Sequence, residues 1–185
     1  MTQGDLAGTE SANGMRPRIL LTGPPGCGKT TVVRSVAAIL HGHASGFYTE
    51  EVRDGSGQRT GFRAISLGGT RGDLAHKGPG PGPRVGPYRV DVKDFERVAL
   101  PALAPRTRGV LLIDEIGKME CCSAEFVRSV GAAFESDAAI LATIPLRGGG
   151  ALLERVRRRR DVETILVTPA NREALPGRLA ARLAP

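Results

Sequence analysis

The chain of 185 residues has no tryptophan, two tyrosines, five phenylalanines and three cysteines. So few aromatic rings disfavour a protein that stacks the bases of a nucleic-acid strand. The cysteines, Cys27, Cys121 and Cys122, form no C-x-x-C pair, so the sequence supports neither a disulfide framework nor a zinc knuckle. This pattern fits a reducing compartment, and we expect a cytoplasmic protein.

Long apolar runs are also absent. The longest have the length of a strand and are bounded by Gly, Asp or Arg, whereas a membrane-spanning helix needs about 20 apolar residues. Residues 1–16 are polar and lack the cationic and apolar regions of a secretory signal. We therefore expect no membrane partner, a flexible polar leader over residues 1–16 and a single domain over residues 17–185.

Positive charge is abundant and uneven. The formal net charge is +7, and 22 of the 26 cationic side chains are arginine. Residues 147–185 alone hold nine arginines against four acidic residues. A basic surface attracts nucleotides, nucleic acids or acidic membranes. Because aromatic residues are scarce, we expect a nucleotide rather than a nucleic acid as the partner.

Apolar runs of strand and helix length alternate along the chain, which predicts a parallel sheet covered by helices on both faces. The pattern predicts buried strands at residues 18–22, 109–113, 138–144 and 164–167. It predicts helices at residues 30–40, from Asp91 to near Pro105, from Ser123, at residues 151–160 and from Pro176.

The middle of the chain differs from this alternation. Residues 46–53 and 61–67 are extended stretches separated by turn-forming residues, which predicts an antiparallel hairpin, and residues 88–90 are expected to join it. Between them, residues 78–87 contain four glycines and four prolines. Such a segment cannot be helical and makes a poor strand, so we expect a surface loop there.

The segment after the first strand matches the phosphate-binding pattern G-x-x-x-x-G-K-[ST] in the required strand-to-helix context. Backbone N–H groups and the helix N-terminus attract phosphate oxygens, Lys29 reaches the β and γ phosphates, and the Thr30 hydroxyl ligates Mg²⁺. The thiol of Cys27, beside the phosphates, is expected to be easily modified. The predicted nucleotide-binding residues here are Gly23, Pro24, Pro25, Gly26, Cys27, Gly28, Lys29, Thr30 and Thr31.

Two carboxylates, Asp114 and Glu115, follow the apolar strand at residues 109–113. Asp114 is the expected partner of Thr30 in holding Mg²⁺, directly or through water. Glu115 is placed to polarise a water molecule for in-line attack on the γ phosphorus, as a general base. The predicted metal ligands are therefore Thr30 and Asp114, and Glu115 and Lys29 are predicted to be catalytic.

Other strand ends carry weaker candidates. Thr143 either senses the γ phosphate, holds the attacking water or only packs its methyl group. Asn171 and Arg172 follow the last strand, where P-loop folds commonly receive the base, although Asn171 is as easily a turn residue.

Charge in the transition state calls for a cation besides Lys29. We favour Lys118, four residues after Asp114, because a turn would fold it over the γ phosphate. Arg71 is the second choice, and Arg53 is a third. The arginines at residues 157–160 are a lid clamp, an RNA-contacting patch or the solvated face of a helix.

Several longer motifs resemble the cancer-related nucleoside-triphosphatase family, close to its vertebrate-type members. Besides the phosphate loop they are Gly46-Phe-Tyr-Thr-Glu-Glu-Val-Arg53, Gly69-Thr-Arg-Gly72, Ile113-Asp-Glu-Ile-Gly-Lys-Met-Glu120, Ala142-Thr-Ile-Pro145 and residues 168–172. The resemblance covers residues 18–175 and implies slow Mg²⁺-dependent hydrolysis of nucleoside triphosphates with broad base tolerance. It implies a second nucleotide-binding region at Val110, Leu111, Leu112, Ile113, Asp114, Glu115, Ile116 and Gly117.

The combined prediction is a monomeric α/β P-loop NTPase with a RecA-like three-layer sandwich, whose mostly parallel sheet has an added antiparallel hairpin. It would hydrolyse ATP, GTP and other nucleoside triphosphates with Mg²⁺. Two alternatives stay open. One is a nucleoside or nucleotide kinase, which would share the phosphate loop, and the other is an RNA-linked ATPase that uses its basic C-terminal third.

Overall fold

The computed structural model describes residues 16–104 and 109–184. The predicted leader, apart from Arg16, lies outside these ranges, and so does Pro105, the predicted end of the second helix. The strands are β1 Arg18–Thr22, β2 Ala44–Arg53, β3 Arg59–Ser66, β4 Arg71–Lys77, β5 Arg84–Val85, β6 Tyr88–Val90, β7 Val110–Ile113, β8 Ala139–Thr143 and β9 Val162–Leu166. The helices are α1 Lys29–Ile39, α2 Val92–Ala102, α3 Ala124–Glu135, α4 Gly150–Arg157 and α5 Leu175–Leu183, with a 3-10 turn at Glu120–Cys122.

All of these strands belong to one sheet, in the order β5–β6–β4–β3–β2–β7–β8–β1–β9. The five strands from β2 to β9 are parallel. The strands β3, β4, β5 and β6 are antiparallel, and we call them the antiparallel arm. Because β8 lies between β1 and β7, the ends of these three strands meet at one edge of the sheet.

Helices cover the two faces of the sheet, and each face has its own core. Along β1, Ile19 and Leu21 pack with α1 and α5, whereas Leu20 packs on the opposite face with α2, α3 and α4. These strand residues have no solvent exposure, as expected for a parallel sheet buried on both sides. The predicted three-layer α/β sandwich is therefore confirmed.

Side-chain caps fix the starts of two helices where the sequence predicts them. The Asp91 carboxylate accepts a hydrogen bond from the Asp94 N–H at 3.0 Å, and the Ser123 hydroxyl accepts one from the Phe126 N–H at 2.9 Å. Such caps satisfy N–H groups that have no partner within the helix. Among the described residues no helix has the length and apolar character needed to cross a bilayer.

The antiparallel addition is larger than the predicted hairpin. Strand β4 was not predicted, and it lies between β3 and β6. Residues 88–90 form β6 and join the antiparallel addition as expected, through pairing with β4. The inward positions of β4 include Gly72, where a Cβ would lie 2.7 Å from Cγ2 of Val98 in α2. The close approach of α2 therefore requires a glycine that hides the alternating strand pattern.

Smaller differences concern element ends. The segment at residues 78–87, predicted as a loop, contains the two-residue strand β5. Helix α4 ends at Arg157 rather than at residue 160. Strand β9 begins at Val162, two residues earlier than predicted, because it pairs with β1 from Arg18 onward.

Candidate active site

A cavity of about 620 Å³ opens where β1, β7 and β8 end, and it extends along the antiparallel arm. The phosphate-loop side is formed by Gly23, Pro25, Gly26, Gly28, Lys29, Thr30 and Thr31. The next wall is formed by Glu115, Lys118, Met119, Glu120, Pro145, Leu146 and Arg147. The wall on the arm side consists of Thr49, Glu50, Glu51, Arg59, Phe62, Leu74 and Val85.

The phosphate loop has the tight backbone that its glycines allow. Gly26 and Gly28 have φ angles of 76° and 107°, in the region where a side chain causes strain. Lys29 Nζ reaches back to donate a hydrogen bond to the Gly23 carbonyl at 3.1 Å. The loop therefore places backbone N–H groups and the Lys29 ammonium at one end of the cavity.

Cys27 corrects one expectation. It is only 8% exposed, belongs to the core beside α1, and does not border the cavity. Its sulfur lies 2.7 Å from the position that a Cβ on Gly23 would take. The thiol thus packs beneath the loop, so the predicted ease of modification is not supported, and Pro24 also lies away from the cavity wall.

Asp114 is buried, at 1% exposure, and each of its carboxylate oxygens has a hydrogen-bond donor. The Thr143 hydroxyl donates to Oδ1 at 2.6 Å, and the Thr49 N–H donates to Oδ2 at 3.4 Å. Burial raises the pKa of Asp114, while hydrogen bonds from Thr143 and Thr30 oppose the shift. Thr143 therefore orients Asp114.

The donor set around Asp114 fits Mg²⁺. Thr30 lies near enough to Asp114 to lower the pKa of its carboxyl group, and hydroxyl and carboxylate oxygens are ligands that Mg²⁺ takes. Across residues 16–104 and 109–184 no group of three His, Cys, Asp or Glu side chains forms a metal cage. A site with few protein ligands suits an ion that keeps water and phosphate oxygens as its other ligands.

Glu115 borders the cavity next to Lys29. Burial raises the pKa of Glu115, the positive charge of Lys29 opposes this shift, and the negative charge of Asp114 adds to it. A carboxylate with a raised pKa accepts a proton more readily near neutral pH, which suits a general base.

A second acid, Glu120, was not predicted to belong to the site. It borders the cavity, is 5% exposed, and burial together with the nearby Glu115 raises its pKa to about 8. Glu120 Oε2 and Glu115 Oε1 lie 2.7 and 2.8 Å from the position that a Cβ on Gly117 would take. Both carboxyl groups therefore lie beside Gly117, and a side chain at this position would displace at least one of them.

The structure separates the candidate cations. Lys118 is exposed and borders the cavity, as predicted. Arg71 and Arg53 do not border it, and Arg53 pairs with Glu51. Arg147 does border it, and it was not among the predicted candidates, because it lies in a loop without a recognisable motif.

The arginine run at residues 157–160 has largely structural contacts. Arg157 donates hydrogen bonds to the carbonyls of Pro145 and Gly148, and Arg159 forms ion pairs with Glu135 and Asp161. Neither side chain borders the cavity. Of the three alternatives for this run, these contacts do not support a lid clamp at Arg157 and Arg159.

Other predicted nucleotide-binding residues lie off the cavity wall. The side chains of β7 and of Ile116 are buried in the cores, at 0–4% exposure, so they position Asp114 and Glu115; they are Val110, Leu111, Leu112, Ile113 and Ile116. The Asn171 amide accepts a hydrogen bond from the Thr168 N–H and donates one to the Leu166 carbonyl, as a turn residue does. Arg172 lies over the phosphate loop, with Cδ 3.5 Å from the Cβ position of Gly28.

Residues of the antiparallel arm were missed as cavity residues. The Arg59 guanidinium lies over the ring of Phe62, 5.1 Å from its centroid, and donates a hydrogen bond to the Tyr88 hydroxyl at 2.9 Å. The motif at residues 46–53 was the available signal, but only the pairing of β2 with β3 shows that it borders the cavity.

A glycine loop between a strand and a helix, its lysine, and a carboxylate after a nearby buried strand define a P-loop NTPase. A family model described as NTPase matches residues 18–180. The chain therefore belongs to this NTPase family, which confirms the resemblance seen in the motifs.

Relatives and solved structures agree with this assignment. Human cancer-related nucleoside-triphosphatase is 44% identical over 87% of this chain and 93% of the human protein. Nucleoside-triphosphatase THEP1 of Thermotoga petrophila is 39% identical over 85% of this chain and 88% of that protein. The crystal structure of THEP1 from Aquifex aeolicus matches with a TM-score of 0.82 at 36% identity, covering 90% of this chain and 98% of that chain. The solution structure of a human cancer-related nucleoside triphosphatase matches with a TM-score of 0.76 at 40% identity, covering 89% and 96%.

Proposed function

We propose that this protein hydrolyses nucleoside triphosphates to the diphosphate and phosphate, with Glu115 as the general base. The observation that carries this proposal is that Lys29, Thr30 and Glu115 line the same cavity, beside the buried Asp114. The names of the relatives, which are nucleoside-triphosphatases, support the same reaction.

In this proposal the phosphate loop binds the triphosphate. Backbone N–H groups of the loop and the N-terminus of α1 face the phosphate oxygens, which are anionic. Lys29 lies at the mouth of the loop, held by the Gly23 carbonyl, and would exchange this contact for the β and γ phosphates. Loss of Lys29 would therefore abolish tight phosphate binding.

Thr30 and Asp114 would hold Mg²⁺. When bound, the ion neutralises phosphate charge and so eases attack on the γ phosphorus. Asp114 is kept in place by the Thr143 hydroxyl and the Thr49 N–H. The rise that burial causes in the pKa of Asp114 would be offset by the positive charge of the ion.

Glu115 would then take a proton from the attacking water molecule. The water oxygen forms a bond to the γ phosphorus while the bond to the bridging oxygen of the diphosphate breaks, and the proton passes to the Glu115 carboxylate. The nearby Lys29 charge favours ionised Glu115 before attack, while burial raises its pKa towards that of an effective base. Lys118 would stabilise the charge that develops on the phosphoryl oxygens.

The substrate range in this proposal covers ATP, GTP and other nucleoside triphosphates. Asn171 uses both ends of its amide on backbone groups, which makes it a poor reader of base identity. Cδ of Arg172 lies close to Gly28 of the phosphate loop, and the planar guanidinium of arginine can stack on any base. Arg172 and Asn171 would thus line a base site with broad tolerance.

A nucleoside or nucleotide kinase is the second candidate function. The cavity extends beyond Glu115 along Phe62, Leu74 and Val85 of the antiparallel arm, which gives more room than a single water molecule needs. An acceptor with an apolar ring would fit against this wall, and its hydroxyl group would replace water.

The test is phosphate release from purified protein with Mg²⁺ and each of ATP, GTP, CTP and UTP, without an acceptor. We expect one phosphate per triphosphate for all four, and none from the Lys29→Ala control. Phosphate transfer only after addition of nucleosides or nucleoside monophosphates would support the kinase instead. Turnover that requires RNA and falls steeply with salt would support the RNA-linked ATPase.

We also propose that the protein is a cytoplasmic monomer. All three cysteines are free, which suits a reducing compartment. Elution at the mass of a dimer in size-exclusion chromatography with light scattering would contradict the monomer.

A further inference from the structure

The segment between β8 and α4 leads directly away from the phosphate loop. The Ile144 N–H donates a hydrogen bond to the Leu21 carbonyl of β1 at 2.9 Å, which holds the end of β8 against the strand that carries the phosphate loop. Residues 145–147 then border the cavity. We call residues 145–149 the Arg147 loop.

Arg157, at the end of α4, ties the Arg147 loop together. Its Nη2 donates a hydrogen bond to the Pro145 carbonyl at 2.5 Å, and its Nη1 donates one to the Gly148 carbonyl at 2.7 Å. The two carbonyls lie on either side of Leu146 and Arg147. The guanidinium, a rigid planar donor, therefore fixes both ends of the segment that carries Arg147.

The glycines that follow Arg147 do not fix its position by their own conformational preference. Gly148, Gly149 and Gly150 have φ angles of 71°, 118° and 77°, a conformation that glycine adopts without strain but does not by itself enforce. The placement of Arg147 is therefore expected to depend on the hydrogen bonds from Arg157.

Arg147 itself is exposed and has no acidic partner within residues 16–104 and 109–184. Two nearby arginines are engaged: Arg159 with Glu135 and Asp161, and Arg157 with backbone carbonyls. A cation that borders the cavity of Lys29 and Glu115 and has no protein anion is available to an anionic ligand.

We propose that Arg147 is a catalytic residue that contacts the γ phosphate, and that Arg157 is a positioning residue that acts through it. The inference rests on the proposed hydrolysis, and it assigns to Arg147 the main transition-state role otherwise given to Lys118. A guanidinium donates two hydrogen bonds to phosphate oxygens at once, and these strengthen as charge moves onto those oxygens. Lys29, Thr30, Asp114 and Glu115 keep the roles given above, and Lys118 becomes a secondary contributor.

The first test compares Arg147→Ala and Arg147→Lys with wild-type protein in steady-state ATP hydrolysis. We expect kcat to fall about 100- to 1000-fold in Arg147→Ala, the scale seen when one transition-state donor is removed, with a small change in KM. Arg147→Lys should recover part of the loss because it keeps the positive charge. It should not recover all of it, because lysine lacks the paired N–H donors of the planar guanidinium. The exposed Arg160→Ala, from the same basic segment, is the matched control and should keep wild-type kcat.

A binding measurement checks the same role without turnover. We expect Arg147→Ala to bind ADP as wild type does but to bind ADP with aluminium fluoride, a mimic of the transferring phosphoryl group, much more weakly. Equal loss for both ligands would assign Arg147 to ground-state binding and overturn the catalytic role.

The double variant Arg147→Ala/Arg157→Ala tests the positioning role. If Arg157 acts through Arg147, kcat of Arg157→Ala falls, and the double variant is no slower than Arg147→Ala alone. A purely structural Arg157 would lower kcat by the same factor in both backgrounds. Thermal melts of all variants identify any loss that comes from unfolding, and Arg157→Lys supplies a milder change at the same position.

Wild-type protein and Glu115→Gln, assayed in parallel, keep the two proposals apart. Absence of phosphate release from wild type would refute the proposed hydrolysis. If the wild-type protein hydrolyses ATP and Arg147→Ala keeps its kcat within about twofold, the role of Arg147 is refuted. Loss of all activity in Lys118→Ala alone would refute it as well. Both results leave the proposed hydrolysis intact.

Discussion

The parallel half of the sheet and the antiparallel arm border the same cavity but contribute different chemistry. At the ends of the parallel strands, Asp114 and Glu115 are buried or half-buried, and burial raises the pKa of both. On the arm side, Glu51 pairs with Arg53 and Arg59 near solvent, and the Arg59 hydrogen bond lowers the pKa of Glu51. Of these three acids, only Asp114 and Glu115, at the ends of the parallel strands, have a raised pKa.

The difference teaches how the two halves reach their roles. A parallel strand buried on both faces ends at the sheet edge, so the next polar residue is held by the core beneath it. The arm has exposed positions, such as Arg71 and Asp73 in β4. Ion pairs at exposed positions are screened by water and contribute little. We therefore assign the reaction to the parallel half and the shape of the cavity to the arm.

The largest expected effect comes from Glu115→Gln in the parallel half. The amide cannot accept the proton of the attacking water, so kcat should fall about 100-fold or more while nucleotide still binds. The measurement pairs steady-state phosphate release with binding of a fluorescent ATP analogue. A variant with kcat near that of wild type would remove Glu115 from the mechanism.

A smaller effect is expected for Thr143→Val, which keeps the shape of the side chain but removes the hydrogen bond to Asp114. Losing one partner of a buried carboxylate costs about 1–3 kcal/mol, so the Mg²⁺ concentration for half-maximal activity should rise about tenfold. Thr143→Ser keeps the hydroxyl and is the control. Equal Mg²⁺ dependence in all three proteins would show that Thr143 only packs its methyl group.

Glu120→Gln should change stability in a pH-dependent way. The pKa of Glu120 is about 8 in the folded protein and about 4.5 as its ordinary value, so above pH 4.5 the unfolded chain releases a proton that the folded protein retains. The contribution of Glu120 to the free energy of unfolding therefore falls as pH rises from 4.5 to 8. Glutamine at this position does not titrate, so the variant avoids this loss.

The measurement is the Tm of both proteins at pH 4.5, 6 and 8 without Mg²⁺ or nucleotide. We expect Glu120→Gln to gain in Tm relative to wild type as pH rises, whereas the exposed Glu154→Gln should follow wild type. A Tm difference that stays constant across this pH range would show that Glu120 does not titrate as described.

The smallest effect is expected for Glu51→Ala, in the part of β2 that pairs with the arm. Its ion pairs with Arg53 and Arg59 are exposed, so stability should fall by about 1 kcal/mol or less, and kcat should change less than about twofold. Chemical denaturation and steady-state assays measure the two quantities. A loss of kcat as large as that of Glu115→Gln would contradict the assignment of the reaction to the parallel half. The arm side of the cavity would then also take part in the reaction.

The sequence predicted the parallel half well for a physical reason. Its three central strands, β1, β7 and β8, contain continuous apolar runs. The groups after these strands, such as Lys29, Asp114 and Glu115, follow in local motifs. Strand β4 escaped prediction because Gly72 occupies an inward position that α2 closes, and this neighbour is distant in sequence.

Other features of the site depend on contacts between distant residues. Arg147 is held by hydrogen bonds from Arg157 to backbone carbonyls, for which no sequence pattern exists. Cys27 turns into the core because of the path of the loop beneath Gly23. Glu120 is the last residue of the motif at residues 113–120, but only the 3-10 turn after β7 places it beside Glu115.

Because Gly117 has no side chain, the carboxyl groups of Glu115 and Glu120 can both lie beside it. Glu115 on one side and Glu120 on the other use the volume in which a methyl group would stand. Any other amino acid at this position would push an acid aside before it disturbed the fold, so substitution there would change catalysis and acidity together. Gly117 thus acts as a spacer for the carboxyl groups of Glu115 and Glu120. A library of variants selected for turnover should keep glycine at this position even where the fold tolerates alanine.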